Sequence, residues 1–138
     1  MIVGWREWVS LPELGIEAIK AKVDTGARSS SLHAEHIETF TEDGRERVRF
    51  KTRSGHVCIA DVADSRAVRS STGQSQVRIF IRTTVSLGGT SWPIDISLTS
   101  RKRMVFGMLL GREAMRGRIQ VKPGSSFLQG TPIEHPLP

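Results

Sequence analysis

The chain runs in short stretches where apolar and polar residues take turns, separated by Gly, Ser and Asp. A period of two sends successive side chains to opposite faces of a strand, so the pattern predicts an all-β fold with few helices. In Ile16–Val23, residues Ile19, Ala21 and Val23 share one side and Lys20 and Lys22 the other, which delivers Asp24 at a strand end. Residues 45–53 place Arg45, Arg47, Arg49, Lys51 and Arg53 on one parity and Val48 and Phe50 on the other, as expected of a strand with one wet face. Residues 77–82 repeat the theme. Residues 83–87 and 91–98 flank Gly88-Gly89, which predicts a hairpin whose turn needs positive φ. Met108-Leu109-Leu110 reads as a short strand ended by Gly111, Arg112 to Arg116 as one short helix stopped by Gly117, and residues 119–122 as a last strand. From Ser125 the chain is expected to be loosely ordered or draped over the surface.

A length of 138 residues with 38% hydrophobic residues suits one domain over 1–138, with its core at about 14–122 and a tail at 123–138. The longest uncharged apolar runs fall far short of the roughly 20 residues a membrane helix needs. The first residues lack the pattern of a secretory signal, so the expected location is the cytoplasm. A lone cysteine, Cys58, cannot form an intrachain disulfide. Twenty basic residues against fourteen acidic ones give a net charge of +6, and fifteen of the twenty are arginine. The planar guanidinium fork pairs with carboxylate or phosphate through two parallel hydrogen bonds, so the partner should be an anion. Composition leaves nucleic acid and acidic polypeptide equally open.

Asp24-Thr25-Gly26 at a strand end makes chemical sense as half of an aspartic peptidase site. Hydrolysing a peptide with water needs one carboxylate to take the water's proton and another to protonate the carbonyl oxygen. Two carboxylates about 3 Å apart share one proton and so fill both roles. The chain offers one such Asp, which predicts a homodimer. Thr25 would hydrogen-bond across the paired loops, and Gly26 would admit backbone beside the dyad without a Cβ. The alternative for the tripeptide is a plain strand-ending turn.

Leu109-Leu110-Gly111-Arg112-Glu113-Ala114-Met115 strengthens the first reading, because retropepsins carry two hydrophobic residues, Gly and commonly Arg before a short helix beneath the catalytic loop. Residues 69–75 suit the flap hairpin of that family. The chain therefore resembles a retropepsin subunit, a closed β-barrel or sandwich with one short helix, acting as a homodimer without metal or cofactor. Lys22-Val23-Asp24-Thr25-Gly26-Ala27-Arg28-Ser29-Ser30-Ser31-Leu32-His33-Ala34 narrows this to the bacterial retropepsin-like family formerly labelled ATP-dependent zinc proteases. Its members are associated with ATP-grasp ligases that add glutamate to protein C-termini, and with cutting polyglutamate. The resemblance implies Asp24, Thr25 and Gly26 as catalytic residues, and an acidic peptide or polyglutamate-tailed protein as substrate. Ala27, Arg28, Arg69, Gly73, Arg78 and Arg112 would contact it. Viral relatives usually carry an aspartate where Arg28 stands. The exchange removes an acid, adds a base and is expected to leave Arg112 uncommitted, so the groove should be cationic. For Arg69 and Arg78 the alternative is a solvated strand edge.

Other chemistries have less to support them. His33 and His36 flank Ala34-Glu35 without the spacing of a His-Glu-x-x-His helix and without a third ligand in view, so no metal is assigned. No phosphate-binding Gly-rich loop is present, and any link to ATP would belong to the ligase. Cys58 with His56 could form a thiol and its base, although a packed thiol is the simpler reading. Trp5, Trp8 and Trp92 are expected in the core or an interface. Two alternatives to the peptidase stay open. One is a basic all-β nucleic-acid-binding module using the 45–53 strand, and the other is a catalytically inactive retropepsin fold kept for binding.

Overall fold

The computed structural model describes residues 1–69, 73–100 and 105–130. Strands β1 (Ile2–Val3), β2 (Arg6–Leu11), β3 (Ile16–Val23), β4 (Ser30–His33), β5 (Glu35–Glu42) and β6 (Arg45–Lys51) come first. Then follow β7 (Val57–Arg69), β8 (Ser75–Leu87), β9 (Thr90–Thr99), β10 (Met108–Leu110), helix α1 (Arg112–Met115) and β11 (Gln120–Val121). The stretches at 77–82 and 83–87 are one strand, because nothing between Arg82 and Thr83 turns the chain. The Gly88-Gly89 turn forms as expected, at φ +60° and +81°.

Six strands close into a barrel in the order β2-β3-β10-β4-β9-β8, and Ser10 pairing with Ser86 joins β8 back to β2. Alternation decides what fills it. Val9 and Leu11 of β2, Ala21 and Val23 of β3, Ile81, Val85 and Leu87 of β8, and Ile94, Ile96 and Leu98 of β9 are buried at every second position. Trp92 joins them, its Nε1 donating to the Ala114 carbonyl at 2.9 Å, which ties α1 to the barrel wall. Beyond β8 the sheet continues outward through β7, β6 and β5. Val48, Phe50 and Cys58 on its inner face pack against Leu14, and the arginines of β6 take the outer face as the parity predicted.

Of the two alternatives for the tail, the draped one describes residues 125–130. Glu7 on β2 is wholly buried and accepts from the backbone N–H groups of Gly4 (2.7 Å), Leu128 (2.9 Å) and Gln129 (3.1 Å). Trp5 N–H donates to Ser125 at 2.8 Å, and Phe127 N–H to Arg6 at 3.0 Å. Phe127 stacks on Trp8, and the Arg6 guanidinium lies over the rings of Trp5 and Phe127. A buried carboxylate with three backbone donors is satisfied and holds these segments together.

Candidate active site

The loop from Asp24 to Ser29 joins β3 to β4, but these strands are not neighbours, because β10 lies between them, parallel to β3 and antiparallel to β4. That insertion puts the end of β10 directly beneath the loop. The Leu110 carbonyl accepts from Asp24 N–H at 2.9 Å, Arg112 N–H donates to Ala27 at 2.8 Å, and Glu113 N–H donates to Arg28 at 3.0 Å. Gly111 N–H donates to Ser30 Oγ at 3.0 Å. A Cβ on Gly111 would stand 2.5 Å from the Ser29 carbonyl oxygen, so only glycine lets the two backbones approach. The Arg112 guanidinium completes the clamp by donating from Nη1 to the carbonyls of Thr25 (3.1 Å) and Gly26 (3.2 Å).

Held this way, Asp24 lines a groove of about 690 Å³. Gly26 N–H donates to its Oδ1 at 2.9 Å, leaving Oδ2 for a water or a second carboxylate. A Cβ on Gly26 would approach that Oδ1 to 3.1 Å. Ala27, Arg28, Arg69 and Arg78 line the same groove, whereas Thr25, Gly73 and Arg112 do not. Thr25 is exposed, and Gly73 stands in open space at φ +85°. The flap-tip residues Ser70, Ser71 and Thr72 lie outside the described residues, but β7 and β8 lead to them as an antiparallel hairpin, pairing Arg69 with Ser75.

One expectation about charge needs correction. Arg112 is not uncommitted, because its guanidinium holds the carbonyls of the loop that carries Asp24. Arg28 does line the groove, with its Nε donating to Glu113 Oε1 at 2.7 Å. That hydrogen bond, with the Arg28 charge behind it, holds the Glu113 carboxyl below the usual glutamate range. Glu113 is thus the second acid of the groove, ionised and occupied. The sequence reading also missed Arg66, which enters the groove from β7. Its guanidinium lies over the Phe80 ring at 4.0 Å and donates to Asp64 (2.7 Å) and Asp95 (3.3 Å). The hydrogen bond with Arg66 keeps Asp64 below the usual aspartate range.

The remaining candidates resolve into packing. His33 is buried with its Nε2 3.0 Å from Glu35, and no group of three or more His, Cys, Asp or Glu is placed to share an ion among the described residues. His56 Nε2 and Cys58 Sγ converge on one acceptor, the Leu14 carbonyl, at 3.0 and 3.5 Å. Burial pushes the Cys58 thiol up, away from the thiolate a nucleophile needs. Among the β6 arginines, Arg45 pairs with Asp61, and Arg47 with Glu42 and Asp61, so acids from flanking strands offset the first two cations of that stripe. No helix of the described residues is long and apolar enough to cross a membrane.

Comparison with known proteins bears on the family and the fold. The family model described as "RimB-like: Retropepsin-like aspartic endopeptidase RimB" matches residues 2–132. A "Probable alpha-L-glutamate ligase" of Desulfotalea psychrophila is 45% identical over 129 residues, covering 88% of this chain and 28% of that protein. Proteins of the same name from Shewanella pealeana and Parasynechococcus marenigrum are 42% and 44% identical, each over 94% of this chain. The chain spans less than a third of the length of these curated relatives, 28 to 30%. A crystal structure of a Legionella pneumophila protein of unknown function (DUF785) superposes with a TM-score of 0.79 at 28% identity, covering 93% of this chain and 97% of that one.

Proposed function

The chain belongs to the RimB-like family of retropepsin-like aspartic endopeptidases, and we propose that it hydrolyses peptide bonds in acidic, glutamate-rich peptides or polyglutamate tails. The dyad would consist of Asp24 from each of two copies. One observation carries this reading: Asp24 is clamped at the floor of an arginine-lined groove whose only other acid among the described residues, Glu113, is ionised against Arg28 and so has no proton to donate. A second Asp24 supplies what is missing. With one proton shared between them, the ionised carboxylate takes a proton from water as the water oxygen bonds to the carbonyl carbon. The protonated one donates to the carbonyl oxygen. Collapse of the tetrahedral intermediate breaks the C–N bond, and the amine leaves with a proton from the dyad. Relatives carry the name probable alpha-L-glutamate ligase, and that name supports a substrate bearing ligase-added glutamates. The expected location is the cytoplasm.

Asp24→Asn tests both halves of the proposal. Alone, it should lower hydrolysis of a glutamate-rich peptide by about a thousandfold or more, without unfolding the protein. Added in excess to wild-type protein and allowed to exchange, it should also poison activity, because mixed dimers carry one carboxylate. Wild-type activity that is indifferent to the variant would exclude a dyad shared between copies.

A further inference from the structure

Arg66 and Arg78 are directly opposite each other across β7 and β8, so their side chains leave the same face of the hairpin, and both line the groove that holds Asp24. Two like charges facing each other on a sheet oppose folding unless something negative lies between or beside them. The two are not compensated alike. Arg66 is pinned by Asp64 and Asp95 and stacked on Phe80. Arg78 has no ion pair among the described residues, and its one hydrogen bond runs from Nε to a neutral acceptor, Gln76 Oε1, at 3.3 Å. Of the other arginines of the catalytic region, Arg28 is committed to Glu113 and Arg112 to loop carbonyls, while Arg69, which also lines the groove, stands opposite Ser75 and not opposite another arginine. At this pair the wall of the groove thus holds one pre-oriented guanidinium and one uncommitted guanidinium side by side, with no acid among the described residues paired to the second.

We propose that Arg66 and Arg78 form a carboxylate subsite, Arg78 binding the ligand's oxygens and Arg66 fixing their position. This rests on reading the groove as a peptide site and adds which residues select the acid. A carboxylate placed between the guanidiniums relieves their repulsion and takes charge-assisted hydrogen bonds from both. The same chemistry is offered by a glutamate side chain and by a peptide's C-terminal carboxylate.

Binding of hexaglutamate to Asp24→Asn protein, measured by calorimetry, tests this without hydrolysis. Arg78→Gln and Arg66→Gln, each in that background, should weaken binding about tenfold or more. Arg45→Gln, on the distant β6, should leave it unchanged. Arg78→Gln should also melt no lower than its parent, since it removes a repulsion, and should gain less melting temperature from added hexaglutamate. Loss of the arginine dependence in hexaglutamate amide assigns the subsite to the C-terminal carboxylate, and its loss in hexaglutamine with a free terminus assigns it to the side chain. Equal affinities for the parent, Arg66→Gln and Arg78→Gln would overturn the proposal, as would an equal loss with Arg45→Gln. If wild-type protein fails to cut hexaglutamate while binding still depends on Arg66 and Arg78, the subsite stands and the peptidase reading falls. If cutting proceeds and neither substitution alters it, the subsite falls alone.

Discussion

The floor and the wall of the groove are held by different means. On the floor, the loop carrying Asp24 is fixed by backbone hydrogen bonds to Leu110, Arg112 and Glu113, by two bonds from the Arg112 guanidinium, and by a glycine that no side chain can replace. On the wall, β7 and β8 pair as an ordinary ladder, and what faces the groove is a set of long arginine side chains held by ion pairs or by little. Backbone contacts fix position and tolerate no change in shape. Side-chain contacts can be exchanged one charge at a time. On the proposed function, the floor would therefore set whether chemistry occurs, and the wall which peptide is chosen. Substitutions in the floor should depress every substrate alike, and those in the wall should separate substrates.

Gly111→Ala should strike hardest. Its Cβ would meet the Ser29 carbonyl oxygen and carbon at 2.5 and 2.6 Å, both backbone atoms unable to swing aside. Overpacking of this kind costs about 1–3 kcal/mol, or roughly 5 °C of melting temperature or more. Activity should fall more than tenfold on acidic and neutral peptides alike, because the loop itself moves. A variant that loses activity on acidic peptides only would erase the division between floor and wall.

How much of this division was legible in the sequence follows from what each part is made of. The floor was readable because its pieces are local and stereotyped. A strand ending in Asp24-Thr25-Gly26 and a Leu109-Leu110-Gly111-Arg112 run announce themselves, although the spacing could not show that β10 inserts between β3 and β4. Arg112 was misjudged for that reason, since its acceptors are carbonyls that become neighbours only through the insertion. The wall depends on pairing register, which single residues do not display. Arg66 faces Arg78 because the ladder that pairs Arg69 with Ser75 carries on inward; the turn at 69–75 was legible, but the register leading away from it has to be followed three residues along both strands before the two arginines meet. Glu7 was unreadable in another way. A charged residue at a buried position of β2 breaks the alternation, and its three donors come from both ends of the chain.

Arg112→Lys is the next test of the floor. A lysine can reach one carbonyl but not hold Thr25 and Gly26 with one planar group. Losing such bonds costs about 1–3 kcal/mol of loop order, so kcat should fall roughly tenfold. The ratio of kcat/KM for acidic over neutral peptides should stay the same. A change in that ratio would return Arg112 to the wall. Ionic strength tests the wall itself. Screening over about 8–10 Å weakens attraction of a charged peptide, so KM for a glutamate-rich peptide should rise severalfold from 50 to 500 mM salt while KM for a neutral peptide stays level.

The smallest effect should come from Glu113→Gln, and it bears on where floor meets wall. The Glu113 backbone N–H holds the Arg28 carbonyl, and its side chain neutralises the Arg28 guanidinium. The Arg28 side chain is 80% exposed and that of Glu113 37%, and exposed ion pairs contribute about 1 kcal/mol or less, so the melting temperature should barely change. Arg28, released, adds a cation to the groove, and KM for hexaglutamate should drop two- to threefold at pH 7 by about the worth of one partly screened charge. The pH dependence has a definite sign. Because Arg28 holds the folded Glu113 carboxyl below its usual range, the pair is intact from neutral pH down to the ordinary glutamate region and is lost only as pH falls through that lowered value. The parent and the variant should therefore differ in KM throughout the neutral range and converge only in the acid limb, where the peptide's own carboxylates also protonate. Should KM rise instead, with kcat falling on every substrate, the side-chain pair would be steadying the catalytic loop through Arg28, and Glu113 would belong to the floor.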